Sequence, residues 1–544
     1  MRRALPLLRL IVAATALCQG QTAPPPPTPV RVADAPCAQC HREIYRLYIK
    51  TPMANASGMA AEKLIPGRLL HAPSQVDYTL AADTGHPTLS WRQLQDAHLS
   101  GAWPLDYFLG SGHLGITYLY TVDRYLLESP IAWYTDSQQY DMKPGLGSIT
   151  ELPPPLSAQA GCLRCHMSAV QASDLGTLNR YNGLPFLHGG ITCEACHGDT
   201  TAHIRSKGKA PVINPARLSA DRRDSLCISC HLEGDVSIDR AGQSPLDFRP
   251  GDSISGYLAY YVYSGKDVTT RGVSEIEQLG QSMCKRVSGD RMSCTTCHDP
   301  HSTPPPQQQA AFFRSRCLIC HNTGGFAASH HPENPDCINC HMPRNGARNI
   351  PHVAWTDHRI LRHPDSTPPA GHVVSDTLTP IFSPDASSRD LAMAYYKALL
   401  GGNLAVAPKA WELLKQNQEQ LADDKEALDA LGILTAERGQ QQDAARIFRR
   451  VLKLDPKDLT ANSDLGILLA KQGDFRGAEA LLSPTYSRNQ DVAGLAMNLA
   501  RVQCVQGDAD AARMTLQTIL RFDPALKNAR QMLQTLASCR APSP

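Results

Sequence analysis

Aromatic side chains are scarce in this 544-residue chain: Phe, Tyr and Trp together make up 6% of it. A chain of this length exceeds one hydrophobic core, so two or more domains are expected. A large domain with so few aromatics has to fill its interior with something other than side chains. Net charge is nearly absent too. Lys and Arg (53) against Asp and Glu (51) leave +2, which removes the electrostatic case for a nucleic-acid partner. Beyond the N-terminus no apolar run is long enough to cross a bilayer, so no transmembrane span is expected in the mature chain. What the chain has in excess is Cys (18), His (20) and Pro (41).

The first residues read as an export signal. Arg2 and Arg3 form a basic start, residues 4–17 form an apolar stretch broken only by Arg9, and small residues follow near Cys18 and Gly20. A signal peptide over 1–20 is expected. The mature chain then belongs in the periplasm or on the extracellular face of a bacterium, where disulfides are permitted. A retained anchor is the competing reading, but the apolar run is short for it.

Composition divides the rest. Residues 21–33 are a Pro-rich leader. Residues 34–365 hold every Cys-His motif, and within them 70–140 read as a β-rich insert, from the Thr, Tyr and Val content of 76–80, 88–91 and 116–122. Residues 366–388, rich in Pro, Ser, Thr and Asp, read as a linker. Residues 389–540 repeat with a period of 34. Leu431-Gly432, Leu465-Gly466 and Leu499-Ala500 are in register, as are Gly439, Gly473 and Gly507, and Ala444, Ala478 and Ala512. This is the tetratricopeptide pattern of helix, Gly turn and helix. Units at 425–458, 459–492 and 493–526 are expected, with a degenerate unit over 389–424 and a capping helix over 527–540. The fold class is mainly α: a cytochrome domain with little regular structure and a small β-rich insert, then an α-solenoid.

The chemistry lies in seven copies of Cys-x-x-Cys-His: Cys37, Cys40 and His41; Cys162, Cys165 and His166; Cys193, Cys196 and His197; Cys227, Cys230 and His231; Cys294, Cys297 and His298; Cys317, Cys320 and His321; Cys337, Cys340 and His341. Each is the attachment pattern of a c-type haem. Two thiols add to the porphyrin vinyl groups, and the adjacent His lies under the iron as proximal ligand. Zinc ribbons and disulfide scaffolds also use paired Cys, but neither demands His after the second Cys every time. Seven covalently bound haem c groups are expected.

Each iron has a second axial face. His301, in Cys297-His298-Asp299-Pro300-His301, cannot reach round its own macrocycle and is better placed for a neighbouring haem. His188 and His203 flank the third motif, His352 and His358 follow the seventh, and His113 lies in Gly-Ser-Gly-His-Leu-Gly. These six are the candidate distal ligands. Met53 is the candidate at the first haem, on a helix continuing from the motif, with Met142 in reserve; a thioether there raises the potential. His71, His86, His98, His330, His331, His363 and His372 sit in loop or linker contexts and are read as non-ligands. Cys284 reads as a buried thiol, and Cys504 and Cys539 as core residues of the repeats with a disulfide possible.

The segments CAQCHREIYRLYIKTPM, GSGHLGITYLY, GITCEACHGDTTAH, SCTTCHDPH and DCINCHMPRNGARNIPHVAWTDHRI, spanning about 34–362, resemble one superfamily of multihaem cytochromes. Its members include the tetrahaem cytochrome of ammonia oxidation, hydroxylamine oxidoreductase and cytochrome c nitrite reductase. More closely, the chain resembles bacterial proteins that fuse such a region to tetratricopeptide repeats. The resemblance implies haems packed in close pairs and distal ligation by His301, His188, His203, His352 and His358. No motif has Lys in place of its final His, as the nitrite reductases do, and no counterpart of the hydroxylamine oxidase's cross-linking tyrosine is evident.

The function expected is an electron relay, with the repeats docking a redox partner protein. A multihaem oxidoreductase acting on a small nitrogen or sulfur oxyanion at one open-site haem is the alternative, with Tyr45, Tyr48 and the 106–140 segment as pocket candidates. A scaffold with structural haems is a third reading.

Overall fold

The computed structural model describes residues 34–83, 85–265, 271–363, 375–382 and 387–539. The signal segment 1–20, the leader 21–33, His372 and half of the expected linker lie outside the described residues.

The scarce aromatics concentrate in a β-rich unit that runs from Ser57 to Ser157, wider at both ends than the 70–140 expected. In Val76–Asp83, Val76, Tyr78 and Leu80 point inward and Thr79 outward. This is the period of two that a sheet with one buried face requires. Val76–Asp83 pairs antiparallel with His86–Gln93, and Gly67–His71 and Ser100–Pro104 flank them. A second sheet runs Ser57–Met59, Tyr107–Leu109, Gly115–Val122, Tyr125–Tyr134, Leu156–Ser157, with Gln139–Met142 also pairing Tyr125–Tyr134. The two sheets share one core of Tyr78, Leu89, Trp91, Phe108, Tyr118 and Leu127. Each buried side chain of this size contributes about 2 kcal/mol.

The C-terminal part is a stack of antiparallel helix pairs: Ser388–Leu400 with Ala407–Gln416, Lys425–Glu437 with Gln441–Leu454, Leu459–Lys471 with Phe475–Arg488, and Ala493–Val505 with Ala509–Phe522, followed by Lys527–Thr535. The repeated Gly has a packing cause. A Cβ at Gly432 would lie 2.6 Å from the Phe448 ring, and one at Gly466 2.8 Å from Leu482, so only Gly lets the two helices of those repeats close up. The turn glycines Gly439, Gly473 and Gly507 have φ of 78, 84 and 84°, the left-handed conformation that ends a helix. Asp424, Asp458, Asp474 and Asp508 cap the helices that follow them by accepting a backbone N–H. Cys504 and Cys539 form a disulfide with Cα atoms 4.8 Å apart, tying the end of the chain to the last repeat.

Part of the expected linker is strand. Leu378–Pro380 pairs antiparallel with Leu258–Tyr263, which also pairs with Val236–Asp239. The composition signal missed one apolar residue: Leu378 is buried, and its N–H donates to the Tyr395 hydroxyl of the first solenoid helix. The solenoid is fused to the N-terminal part rather than tethered. Its first helices share a core with Val236, Ile238 and Tyr261, and its last repeats share one with the β-rich unit.

Candidate haem sites

Each Cys-x-x-Cys-His begins, ends or lies on a helical turn, such as Glu194–His197, Ala220–His231, Cys294–Cys297 and Cys337–His341. A turn of helix puts residues i, i+3 and i+4 on one face, which brings both thiols and the imidazole to the same side. His41, His197, His298 and His321 each donate a backbone N–H to the carbonyl of the motif's first Cys. The second motif differs, because His166 donates to Leu163 instead. All the motif cysteines are free thiols, the form that thioether attachment needs.

The imidazoles test whether these residues fit a bis-axial iron. A metal–imidazole bond of about 2 Å on each side, plus the half-width of each ring, separates the two ring centroids by about 6 Å. Four pairs meet this. His41 faces His203 at 6.2 Å with 14° between planes, and His197 faces His301 at 6.0 Å and 10°. His298 faces His358 at 6.4 Å and 28°, and His341 faces His330 at 5.8 Å and 27°. Van der Waals stacking would bring the rings much closer.

The ring nitrogens agree. His197 Nδ1 lies 2.8 Å from the Ile213 carbonyl, His203 Nδ1 2.7 Å from Ala210, His358 Nδ1 2.9 Å from Thr356 and His341 Nδ1 2.5 Å from Leu361. A carbonyl only accepts, so Nδ1 carries the proton and Nε2 keeps its lone pair, the arrangement of metal-bound His. Partial desolvation lowers the pKa of His166, His298 and His301, which disfavours their protonated forms. The donor set therefore fits haem c.

The motifs also lie against one another. Cys37 and Cys193 lie close together, and Asp34 accepts the Cys193 N–H at 2.9 Å, joining motifs one and three. Cys165 lies close to Cys230, and Arg164 donates to the Ser229 carbonyl, joining two and four. Cys196 also lies near Cys230, and burial pushes its thiol up to about 11. Cys227 lies close to Cys294, joining four and five. Cys317 lies close to Cys337, and Arg314 donates to the Cys337 Sγ at 3.9 Å, joining six and seven. Cys297 lies near Cys320, so five neighbours six.

Three of the expected distal candidates, His203, His301 and His358, face motif histidines. The others are placed elsewhere. The helix after motif one, Arg42–Tyr48, stops short of Met53, which falls on a turn held through its carbonyl by Ile191; the ring facing His41 is His203. Met142 is buried in the β-unit core. His352 has φ of 57° and places Nε2 2.7 Å from Asp141, because the hairpin Arg344–Gly346/Ala354–Thr356 aims it at the β-unit. His113 is exposed in its loop. His188 sits on Phe186–Gly189 opposite Ser168. His330, read as a loop residue, is the one that faces His341. Its place shortly before motif seven, like that of His188 before motif three, is the signal that could have found it.

Comparison with known proteins is consistent with this chemistry. The family described as cytochrome c554 and c-prime matches residues 135–198, across motifs two and three, and the doubled CXXCH motif family matches 287–326, across five and six. Tetratricopeptide repeats match at 435–496 and 470–537. Among curated proteins, the multiheme cytochrome MtrA of Shewanella baltica (strain OS185) is 26% identical over 208 residues, 36% of this chain and 56% of that protein. The chain thus spans about half the length of that relative. Among solved structures, MamA (41-end) from Desulfovibrio magneticus RS-1 is 21% identical with a TM-score of 0.25, covering 28% of this chain and 84% of that one. YrrB, a tetratricopeptide protein, is 16% identical with a TM-score of 0.25, covering 28% and 78%. The chain joins haem-attachment segments of multihaem c-type cytochromes to tetratricopeptide repeats.

Proposed function

We propose that this chain is an exported heptahaem c-type cytochrome that relays electrons between redox partner proteins, one of them docked by the solenoid. The observation that carries it is the set of four imidazole pairs at iron-spanning separation, each containing a motif histidine. Haem c supplies reversible one-electron chemistry at its iron. The chain's own residues do the rest. Fourteen motif thiols would tether the groups, the four imidazole pairs would hold the iron at motifs one, three, five and seven, and contacts between the segments that carry the motifs keep each beside another. Their order is one, three, four, five, six, seven, with two beside four. Proximity of the tethering thiols supports close edges between neighbouring groups, as a relay needs.

Export is supported by the Cys504–Cys539 disulfide, which persists in an oxidising compartment, and among the described residues no helix is long and apolar enough to cross a membrane. The match across 135–198 supports placing the cytochrome part with the ammonia-oxidation cytochrome, hydroxylamine oxidoreductase and nitrite reductase superfamily. Partner docking by the repeats is supported by the usual use of a solenoid's concave face.

The test is the mature protein from a host that matures c-type cytochromes. Seven porphyrin increments in its mass and low-spin ferric spectra are expected. A colourless protein overturns the reading. A high-spin ferric signal that shifts with nitrite or cyanide moves it to the oxyanion oxidoreductase.

A further inference from the structure

Besides the ion pairs of Lys527 with Glu151 and of Arg530 with Asp96, the solenoid touches the N-terminal part at two places that lie beside different haem motifs. The first is its opening helix, Ser388–Leu400. Arg389, buried, reaches the Asp239 carbonyl with one guanidinium nitrogen while the others bind Asp424 at 2.8 Å and Glu426 at 3.0 Å. Asp390 pairs with Arg240, and Lys397 donates to the Ser237 carbonyl at 2.7 Å. Ser237, Asp239 and Arg240 belong to or adjoin Val236–Asp239, the strand that follows the helix carrying motif four, Ala220–His231.

The second is the turn between repeats at 488–491. The Tyr125 hydroxyl donates to the Arg488 carbonyl at 2.7 Å and accepts the Gln490 N–H at 3.1 Å, while its ring meets Phe522 edge-on at 5.2 Å. Asn489 donates to the Gly176 carbonyl at 2.8 Å. Gly176 has φ of 75°, and a Cβ there would lie 2.8 Å from the Lys457 carbonyl, so the approach is tight. Asp491, buried, lies close to Asn179 and Ser157. Ser157 and 174–181 are the two lengths of chain on either side of motif two. Leu163, inside that motif, is fully buried with Leu126, Ala158 and Tyr181 in one cluster.

Motifs two and four are themselves in contact, through Cys165 and Cys230 and through Arg164 and Ser229. The stack of repeats therefore bridges the outside of one haem–haem junction. We propose that the solenoid is a brace that sets the relative placement of the second and fourth haem sites, with Tyr125, Asn489 and Arg389 as positioning residues. This rests on the haem reading above. A stack of helix pairs behaves as a one-dimensional spring, because each unit contacts only its neighbours. Whatever changes its pitch moves the two grips relative to each other, and the junction they hold moves with them. A partner bound along the repeats would then alter electron exchange at the two–four junction without touching either site.

The experiment uses the full-length haem-loaded protein with Tyr125→Phe and Asn489→Ala together. The Phe ring keeps the Phe522 contact, and only the polar grips are lost. Expected are an unchanged number of porphyrins by mass, faster hydrogen exchange at 174–181, and a loss of about two-fold in the Soret circular-dichroism couplet from coupled haems. One midpoint potential should move in an EPR-followed titration while the rest hold. Arg389→Lys, which keeps the charge but cannot span three acceptors, should give the same couplet loss from the other grip. A couplet and potentials equal to the parent's, with hydrogen exchange at 174–181 raised, overturn the brace alone. If the double variant fails to mature, Tyr125→Phe by itself carries the same test. A parent without porphyrin mass overturns both the haem reading and the brace.

Discussion

The solenoid and the segment carrying motifs five to seven are built in opposite ways. In the solenoid Ala444, Ala478 and Ala512 are fully buried, along with Phe448, Leu482 and Leu516. From 294 to 352 no described residue is buried, although that length holds three Cys-x-x-Cys-His motifs. One region closes on its own side chains. The other sets thiols and imidazoles on short helical turns with no buried side chain among the described residues. The comparison teaches that one chain can keep its apolar interior in repeated small residues in one region and spend another on cofactor-attachment motifs.

The sharpest way to break that contrast is to withhold the cofactor. Chain made in a host without c-type maturation is expected to lose hydrogen-exchange protection throughout 294–352 while the repeat helices keep theirs. Equal protection in both would erase the distinction. Next in size is a single axial position. His330→Ala should convert one low-spin ferric signal to high-spin, whereas the neighbouring His331→Ala should leave the spectrum alone. The reverse result would move the seventh site's ligand.

On the solenoid side the effects are graded. Cys504→Ser with Cys539→Ser opens a loop of sequence separation 35 and should cost about 4 kcal/mol, lowering the melting temperature of the repeats without shifting the visible bands. The smallest effect is electrostatic. Burial, with Glu437 nearby, raises Asp464 to about 6. A carboxyl that binds its proton more tightly folded than unfolded stabilises the fold as pH falls through 6 toward 4, and that stability is lost as pH rises again. Asp464 should therefore add about 1 kcal/mol to the stability of the repeats between pH 7 and 5, and Asp464→Asn should remove that share while Asp523, also raised to about 6 by burial, keeps its own. An unchanged profile in the variant would place Asp464 in water.

Legibility followed the range of the interactions involved. The period of 34 could be read because successive repeats make the same contact between their own two helices: the Gly432–Phe448 approach recurs as Gly466–Leu482. The attachment motifs could be read because two thiols and an imidazole need only one turn of helix. The distal partners were harder. His203 is six residues past motif three in the chain but faces motif one. Met53 looked well placed only while the helix was assumed to run on past Tyr48. His352 carried the right residue type near the right motif, and a hairpin turned it to Asp141. The linker hid Leu378, since one buried residue does not change a composition.

By itself, then, the order of residues determined the repeat architecture, the thiols that can bind porphyrin and the imidazole beneath each one, because all of these depend on neighbours within a few helical turns. Tertiary structure alone decided which imidazoles meet across a site, which motifs touch, and that the repeats grip the chain beside motifs two and four. Those choices depend on segments far apart in the chain being held at separations of a few ångströms. Only the packing of strands and helices against one another sets such distances.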